Sequence, residues 1–253
     1  MGTWLVAWQP PVPGVPALVC LPQAGAGCGQ YRAWNGSLVP YVAVLGVQLP
    51  GREERWGDPP AGQFDDVVSE VTAELVDLLA ADTEVLIYGH SFGGLLGFEI
   101  ARALGHGYGR WPRALVVAAC RPPGMWVGAG RGLVDDEAEL ASLLAARGLG
   151  PAVLDPDSRA EMIELLRQDA RLSMSYETRG DLALPCHLEA WGGSGDATVT
   201  PAQLDQWRRH AGGTFRRRDF PGGHTFHTAH AGAVLTALRE LAGVPARPAA
   251  TTG

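Results

Sequence analysis

Val85-Leu86-Ile87-Tyr88-Gly89-His90-Ser91-Phe92-Gly93-Gly94 is the stretch that decides the fold. Four residues of strand-forming type run into Gly89, and a helical pattern follows Gly94. A Gly-x-Ser-x-Gly core set between strand and helix holds the serine on a tight turn. The glycines at ±2 are needed because neighbouring backbone would clash with any larger side chain. The turn lifts the hydroxyl above the sheet, and the helix N-terminus behind it favours developing negative charge. In a chain with 34 glycines the motif alone is weak. The flanking strand and helix are what separate a nucleophile elbow from a chance glycine turn.

Working outward, short β-branched runs alternate with stretches of helical spacing. Strands are expected at Ala17–Leu21, Val42–Leu49, Val85–Tyr88, Leu115–Ala119, Cys186–Trp191 and Thr214–Phe220. Helices are expected near 30–39, 64–81, 94–105, 202–211 and 229–242. Within 64–81, Val67, Val68, Val71, Leu75, Leu78 and Leu79 recur near i, i+3, i+4, i+7, the mark of an amphipathic helix facing a core. Alternation of this kind predicts an α/β fold with a mostly parallel central sheet and helices on both faces. It breaks between Arg121 and Leu184, where one βα step needs only about 30 residues. That segment opens with a Gly- and Pro-rich loop, Arg121–Arg131, and continues with helical patterns near 135–147 and 157–175. A helical insertion, 122–184, over a core formed by 1–121 and 185–243 is the simplest account. Residues 244–253, with two prolines among small residues, are expected to be a disordered tail.

Composition narrows the chemistry. The chain has 253 residues, of which 46% are hydrophobic and 19% charged, enough for a sizeable core. Its net charge of −7 argues against nucleic acid or an anionic membrane as the main partner. All 20 basic residues are arginine, which excludes Schiff-base catalysis, a P-loop lysine and a lysine general base. Cys20, Cys28, Cys120 and Cys186 are scattered without a C-x-x-C pair, fitting neither a zinc site nor a disulfide framework. The N-terminal residues lack the basic and apolar regions of a signal peptide, and no apolar run approaches the ~20 residues of a membrane helix. A soluble, cytoplasmic protein is expected, and a monomer.

A serine at its ordinary pKa needs a base, and the base an orienting acid. Around such an elbow the chain order is Ser, then Asp or Glu, then His. His210, His224, His227 and His230 all follow Ser91 with room for an acid between. His224 sits in Phe220-Pro221-Gly222-Gly223-His224, just past the last strand, where a loop hangs it over the sheet edge. His210 ends a helical pattern and reads as solvent-exposed. His227 and His230 continue an H-x-x-H-x-x-H run, but no nearby carboxylate or cysteine completes a metal ligand set, so they read as surface or helix-start histidines. Asp196 lies in a small-residue loop after the strand ending at Trp191 and is the candidate acid. Asp205 falls in the next helix and Asp219 within the final strand. A helix-capping role for Asp196 is the alternative, although Thr200 before Pro201 fits a cap better. Two backbone N–H groups would form the oxyanion hole: Phe92, next to the nucleophile, and Ala24, in the small-residue loop Leu21–Gly27.

Several blocks together resemble the type II thioesterases of polyketide and nonribosomal peptide biosynthesis, of the α/β-hydrolase superfamily. They are Leu21-Pro22-Gln23-Ala24-Gly25, Gln48-Leu49-Pro50-Gly51-Arg52-Glu53, the serine elbow, the helical insertion and Phe220–His224. The Leu-Pro-Gly-Arg-Glu block is more discriminating than the elbow, which many esterases share. The resemblance spans nearly the whole chain and implies an α/β-hydrolase with a helical lid. It also implies a triad of Ser91, Asp196 and His224 with oxyanion donors at Ala24 and Phe92. The implied substrate is an acyl thioester on the phosphopantetheine arm of an acyl or peptidyl carrier protein, so the enzyme needs no cofactor of its own. Two positions depart from the family pattern: Gln23, where a histidine or aromatic is usual, and Thr225-Phe226-His227 after the base. Leu140, Leu143, Leu144, Met162 and Leu166 are either acyl-pocket lining or helix packing. Arg208, Arg209 and Arg216–Arg218 read as solvated surface or as contacts to an acidic carrier. Transacylation, cyclising release, generic carboxylester hydrolysis and non-catalytic binding of an acylated carrier are the competing functions.

Overall fold

Each apolar run bounded by turn residues becomes a strand, and the strands pair into one sheet. The computed structural model describes residues 3–126, 134–146, 152–180 and 182–244. Its strands are β1 (Leu5–Ala7), β2 (Ala17–Leu21), β3 (Ala43–Val47), β4 (Val85–His90), β5 (Ala114–Ala118), β6 (His187–Gly193) and β7 (Phe215–Phe220). They lie in the order β1-β3-β2-β4-β5-β6-β7. All neighbouring pairs are parallel except β1 with β3. The expected fold class is therefore the observed one. β1 is the strand that sequence reading does not find: three residues are too few to show a period. Leu5 opposite Val47 and the buried Trp4 nonetheless add an antiparallel edge.

The helices are α1 (Arg32–Leu38), α2 (Phe64–Leu78), α3 (Phe92–Tyr108), α4 (Glu137–Ala146), α5 (Pro156–Met174), α6 (Pro201–Asp205), α7 (Phe226–Ala229) and α8 (Ala231–Leu241). β2, β4 and β5 are buried along their whole length, as parallel strands covered on both faces must be. Alternate β4 residues divide between two cores. Val85 and Ile87 pack with α2 and α3, while Leu86 and Tyr88 pack with α1 and α8. α2 buries Val67, Val68, Val71 and Leu75 as its period requires, but it ends at Leu78, which is exposed. Leu79 is extended and returns to the core. Between β5 and β6 the described residues form a single 3₁₀ turn, Pro123–Met125, then α4 and α5. These two helices share a small core of Leu140, Leu144, Ile163 and Leu166. Asp155 caps α5, accepting from the Asp157 and Ser158 N–H groups ahead of Pro156 at the first helical position. Residues 127–131 of the Gly- and Pro-rich loop, Arg147 at the end of the expected 135–147 helix, and 245–253 of the expected disordered tail lie outside the described residues.

Strand register gathers the loops that follow. Leu21 pairs with Gly89, His90 with Ala118, and Gly193 with Phe220. Everything emerging from β2, β4, β5, β6 and β7 therefore meets at one sheet edge. β2 lies between β3 and β4, so the chain changes direction there. Open α/β sheets place their ligand crevice outside the strand carboxyl ends at such a point.

Candidate active site

Ser91 stands at this crossover, between the end of β4 and the first residue of α3. Its backbone has φ 52° and ψ −116°, a conformation costly for a residue with a side chain. The turn is held from both sides. Ser91 N–H donates to the Ala118 carbonyl at 2.7 Å, and Gly94 N–H donates to the Ser91 carbonyl at 2.9 Å. The flanking glycines are sterically forced. A Cβ on Gly89 would overlap the Gly93 carbonyl, and one on Gly93 would overlap the carbonyl oxygens of Leu21 and Pro22. These are backbone obstacles that no side-chain rotation relieves. The helix of 17 residues begins at Phe92, two residues before the periodicity suggests, which brings its N-terminal end directly behind the serine.

Asp196 and His224 leave the neighbouring strands β6 and β7 and meet. His224 Nδ1 lies 2.9 Å from Asp196 Oδ2. The other carboxylate oxygen accepts from Thr198 N–H at 2.8 Å, Thr198 O–H at 2.6 Å and Val199 N–H at 3.2 Å. Burial of Asp196 pushes its pKa up. The hydrogen bonds from His224 and Thr198, with the attraction of the imidazole, outweigh that and hold the carboxyl below its ordinary value. A carboxylate can only accept, so Nδ1 of His224 carries the proton and Nε2 of the neutral ring is left basic. His224 is also held from behind. Its carbonyl accepts from His90 Nε2 at 2.8 Å, which fixes His90 as the Nε2–H tautomer and leaves Nδ1 to accept from Tyr88 O–H at 3.2 Å.

Ser91, Phe92, Ala24 and His224 line one cavity of about 200 Å³. Its walls are mostly apolar, and α4 and α5 supply Leu140, Leu143, Leu166 and Ala170. Three of the leucines and one alanine on these helices thus face the cavity, two of the leucines, Leu140 and Leu166, also belonging to the α4–α5 core within which Leu144 and Met162 pack. Among the described residues, no cluster of three or more His, Cys, Asp or Glu side chains is placed to hold a metal ion, and no helix is long and apolar enough to cross a membrane.

Several other readings change in three dimensions. His210 is buried, not exposed. The chain after α6 tightens into a 3₁₀ turn, Gln206–His210, which tucks the ring against Phe98 and Trp207 and sets Nδ1 3.0 Å from the Leu182 carbonyl. His227 is likewise buried, its Nε2 2.9 Å from Gln30 Oε1 and its ring 3.9 Å from that of His90. Burial, then the nearby His224, pushes its pKa down to about 3. His230 occupies the cap position of α8. Arg218 is no solvated arginine: it bridges buried Glu189 at 2.6 Å and Glu240 at 2.7 Å. Arg217 engages both Asp205 and Asp219, the two alternative acids. Thr200 forms the expected cap, reciprocated by Gln203.

The functional neighbourhood also contains a pair that sequence reading does not join. Arg52, from the Leu-Pro-Gly-Arg-Glu block, makes a two-pronged ion pair with Asp169 of α5 at 2.8 and 2.7 Å, both side chains buried. The partners are 117 residues apart, so no local pattern signals the contact.

Comparison with known proteins bears out the resemblance. A family model described as "Thioesterase domain" matches residues 16–241. A probable cadicidin biosynthesis thioesterase of Streptomyces griseus is 31% identical over 94% of this chain and 65% of its own length. Thioesterase PikA5 of Streptomyces venezuelae is 29% identical over 89% of this chain and 80% of its own. The type II thioesterase BorB from the borrelidin biosynthetic cluster superposes with a TM-score of 0.83 at 29% identity, covering 96% of this chain and 99% of that one. The RedJ thioesterase from the prodiginine pathway of Streptomyces coelicolor gives 0.81 at 29% identity, over 92% and 88% of the two chains.

Proposed function

The chain belongs to the thioesterase domain family, and on that premise we propose that it hydrolyses acyl groups from phosphopantetheine thioesters on acyl or peptidyl carrier proteins of polyketide or nonribosomal peptide assembly. Ser91 is the nucleophile, His224 the base and Asp196 the acid that orients it. The observation that carries the reading is the Asp196–His224 hydrogen bond, whose imidazole opens with Ser91 onto one largely apolar cavity.

The reaction runs in two halves. Ser91 Oγ attacks the thioester carbonyl carbon as its proton passes to His224 Nε2. The carbonyl π pair moves onto oxygen, which rests between the N–H groups of Ala24 and Phe92. Collapse re-forms the carbonyl and breaks the carbon–sulfur bond, and the departing sulfur takes the proton from Nε2. Water then attacks the acyl-serine while His224 takes one of its protons. The second intermediate expels Ser91 Oγ, which recovers that proton, and the carboxylic acid leaves. Asp196 stays ionised throughout and stabilises the imidazolium. The phosphopantetheine arrives with the substrate, and the insertion 122–184 serves as a lid that shapes the acyl pocket.

The test follows acyl loss from loaded carrier proteins by intact mass, over several acyl lengths, with Ser91→Ala and a matched oxygen ester alongside. Ser91-dependent unloading of the carrier supports the reading. Intact carriers beside rapid ester cleavage would leave only a serine esterase.

A further inference from the structure

Asp169 is a carboxylate carried by α5, yet its partners all belong to the core. Oδ2 accepts the Gly25 N–H at 2.6 Å and Arg52 Nη1 at 2.8 Å, while Oδ1 accepts Arg52 Nη2 at 2.7 Å. Arg52 reaches on to the Ala26 carbonyl at 3.2 Å and donates from Nε to the Pro50 carbonyl at 3.3 Å. Its own carbonyl accepts from Gln48 Nε2 at 2.8 Å, and Gln48 Oε1 accepts the Cys28 N–H at 3.2 Å. The loop after β2 is thus gripped at Gly25, Ala26 and Cys28, immediately beyond Ala24.

We infer that Asp169, paired with Arg52, is a positioning residue that sets the Ala24–Gly25 peptide of the oxyanion loop and couples it to the seating of α5. The inference rests on the acyl-transfer reading above. Gly25 has φ +74°, and its N–H shares a peptide plane with the Ala24 carbonyl; fixing that N–H toward α5 therefore anchors the chain immediately after the Gln23–Ala24 peptide, the plane that carries the Ala24 N–H. The charge balance matters equally. Asp169 lines the same cavity as Ser91, and without the guanidinium its negative charge would face a site where an oxyanion forms. With Arg52 the pair is neutral as a unit, and the Gly25 N–H is drawn by a charge-assisted bond.

A purely structural role makes a different forecast. A buried ion pair is weak evidence for stability, and apolar residues of similar volume commonly replace one without loss of fold. The deciding variant is therefore R52M/D169L, with the isosteric D169N beside it. The substrate is a short acyl-N-acetylcysteamine thioester, which removes carrier docking from the measurement. An alkyl boronic acid, which mimics the tetrahedral intermediate, supplies a binding readout, and circular dichroism reports folding. Loss of an oxyanion donor costs about 10²–10³-fold in kcat. We expect folded R52M/D169L to lose kcat on the order of 10²-fold with KM within about threefold, and to bind the boronate more weakly by a similar factor. D169N, which can still accept from Gly25, should fall between. Wild-type kcat in either folded variant, or a loss confined to KM, would overturn the assignment. Ser91→Ala in the same assay separates the two failures. Turnover at the wild-type rate there would sink the acyl-transfer reading whatever Asp169 does.

Discussion

Thr198 Oγ1 lies 2.8 Å from Nδ1 of His224, on the side where that nitrogen also meets Asp196. The hydroxyl proton is committed to Asp196 Oδ1 at 2.6 Å. Its lone pair is therefore what faces the imidazole, and the single Nδ1 proton is shared between Thr198 and the Asp196 carboxylate. The threonine locks tautomer and ring orientation from a second direction, and its N–H and O–H both stabilise the ionised acid.

The expected result for Thr198→Val is a roughly three- to tenfold drop in kcat with little change in KM, since one neutral hydrogen-bond partner is worth about 0.5–1.5 kcal/mol. Thr198→Ser should retain most of the rate. Asp196→Asn should be far more severe, on the order of 10⁴-fold, because the amide favours the wrong tautomer. Steady-state kinetics of the three variants on one thioester orders them, and a Thr198→Val rate equal to wild type would remove the threonine from the arrangement.

His227 makes a pH prediction independent of activity. Its folded pKa of about 3 lies below the ordinary histidine value, so between these the unfolded chain binds a proton that the native ring refuses. Stability therefore rises with pH through this window and falls as the solution is acidified below about 6.5. Asp196, whose carboxyl is held low, acts in the same direction further down: its contribution is present above about pH 4 and fades as pH falls through the lowered value. Denaturant unfolding between pH 3 and pH 7 checks the combined slope. Imidazole NMR should show His227 neutral throughout the range from pH 5 to pH 8.

The parts of this molecule that are local in sequence were legible there. β4 and the elbow announce themselves because strand, serine, glycines and helix are contiguous. Asp196 and His224 stand out as candidates because each follows a recognisable strand, and their side chains meet at 2.9 Å. What escaped is what folding joins across distance or hides by tightening. Arg52 and Asp169 sit in separate blocks, each unremarkable as a charge. His210 ends a helical pattern, and only the 3₁₀ turn swings its ring inward against Phe98 and Trp207. The Leu-Pro-Gly-Arg-Glu block marks the family without revealing the partner of Arg52, because that partner, Asp169, lies on α5.

Glycine substitution gives a paired prediction with opposite signs. Gly93 and Gly107 both lie in α3. A Cβ at Gly93 would run into the backbone oxygens of Leu21 and Pro22, so Gly93→Ala must separate α3 from the end of β2 and displace the serine turn between them. Overpacking of this kind costs about 1–3 kcal/mol, and the turnover loss should exceed what that destabilisation explains. A Cβ at Gly107 meets nothing within 4 Å. That position is exposed near the helix end, where alanine lowers the entropy lost on folding, so Gly107→Ala should stabilise by about 0.5–1 kcal/mol and leave kcat unchanged. Thermal or denaturant melts of the two variants measure both signs in one experiment. Equal behaviour would mean that the close approach of α3 to β2 does not constrain the elbow.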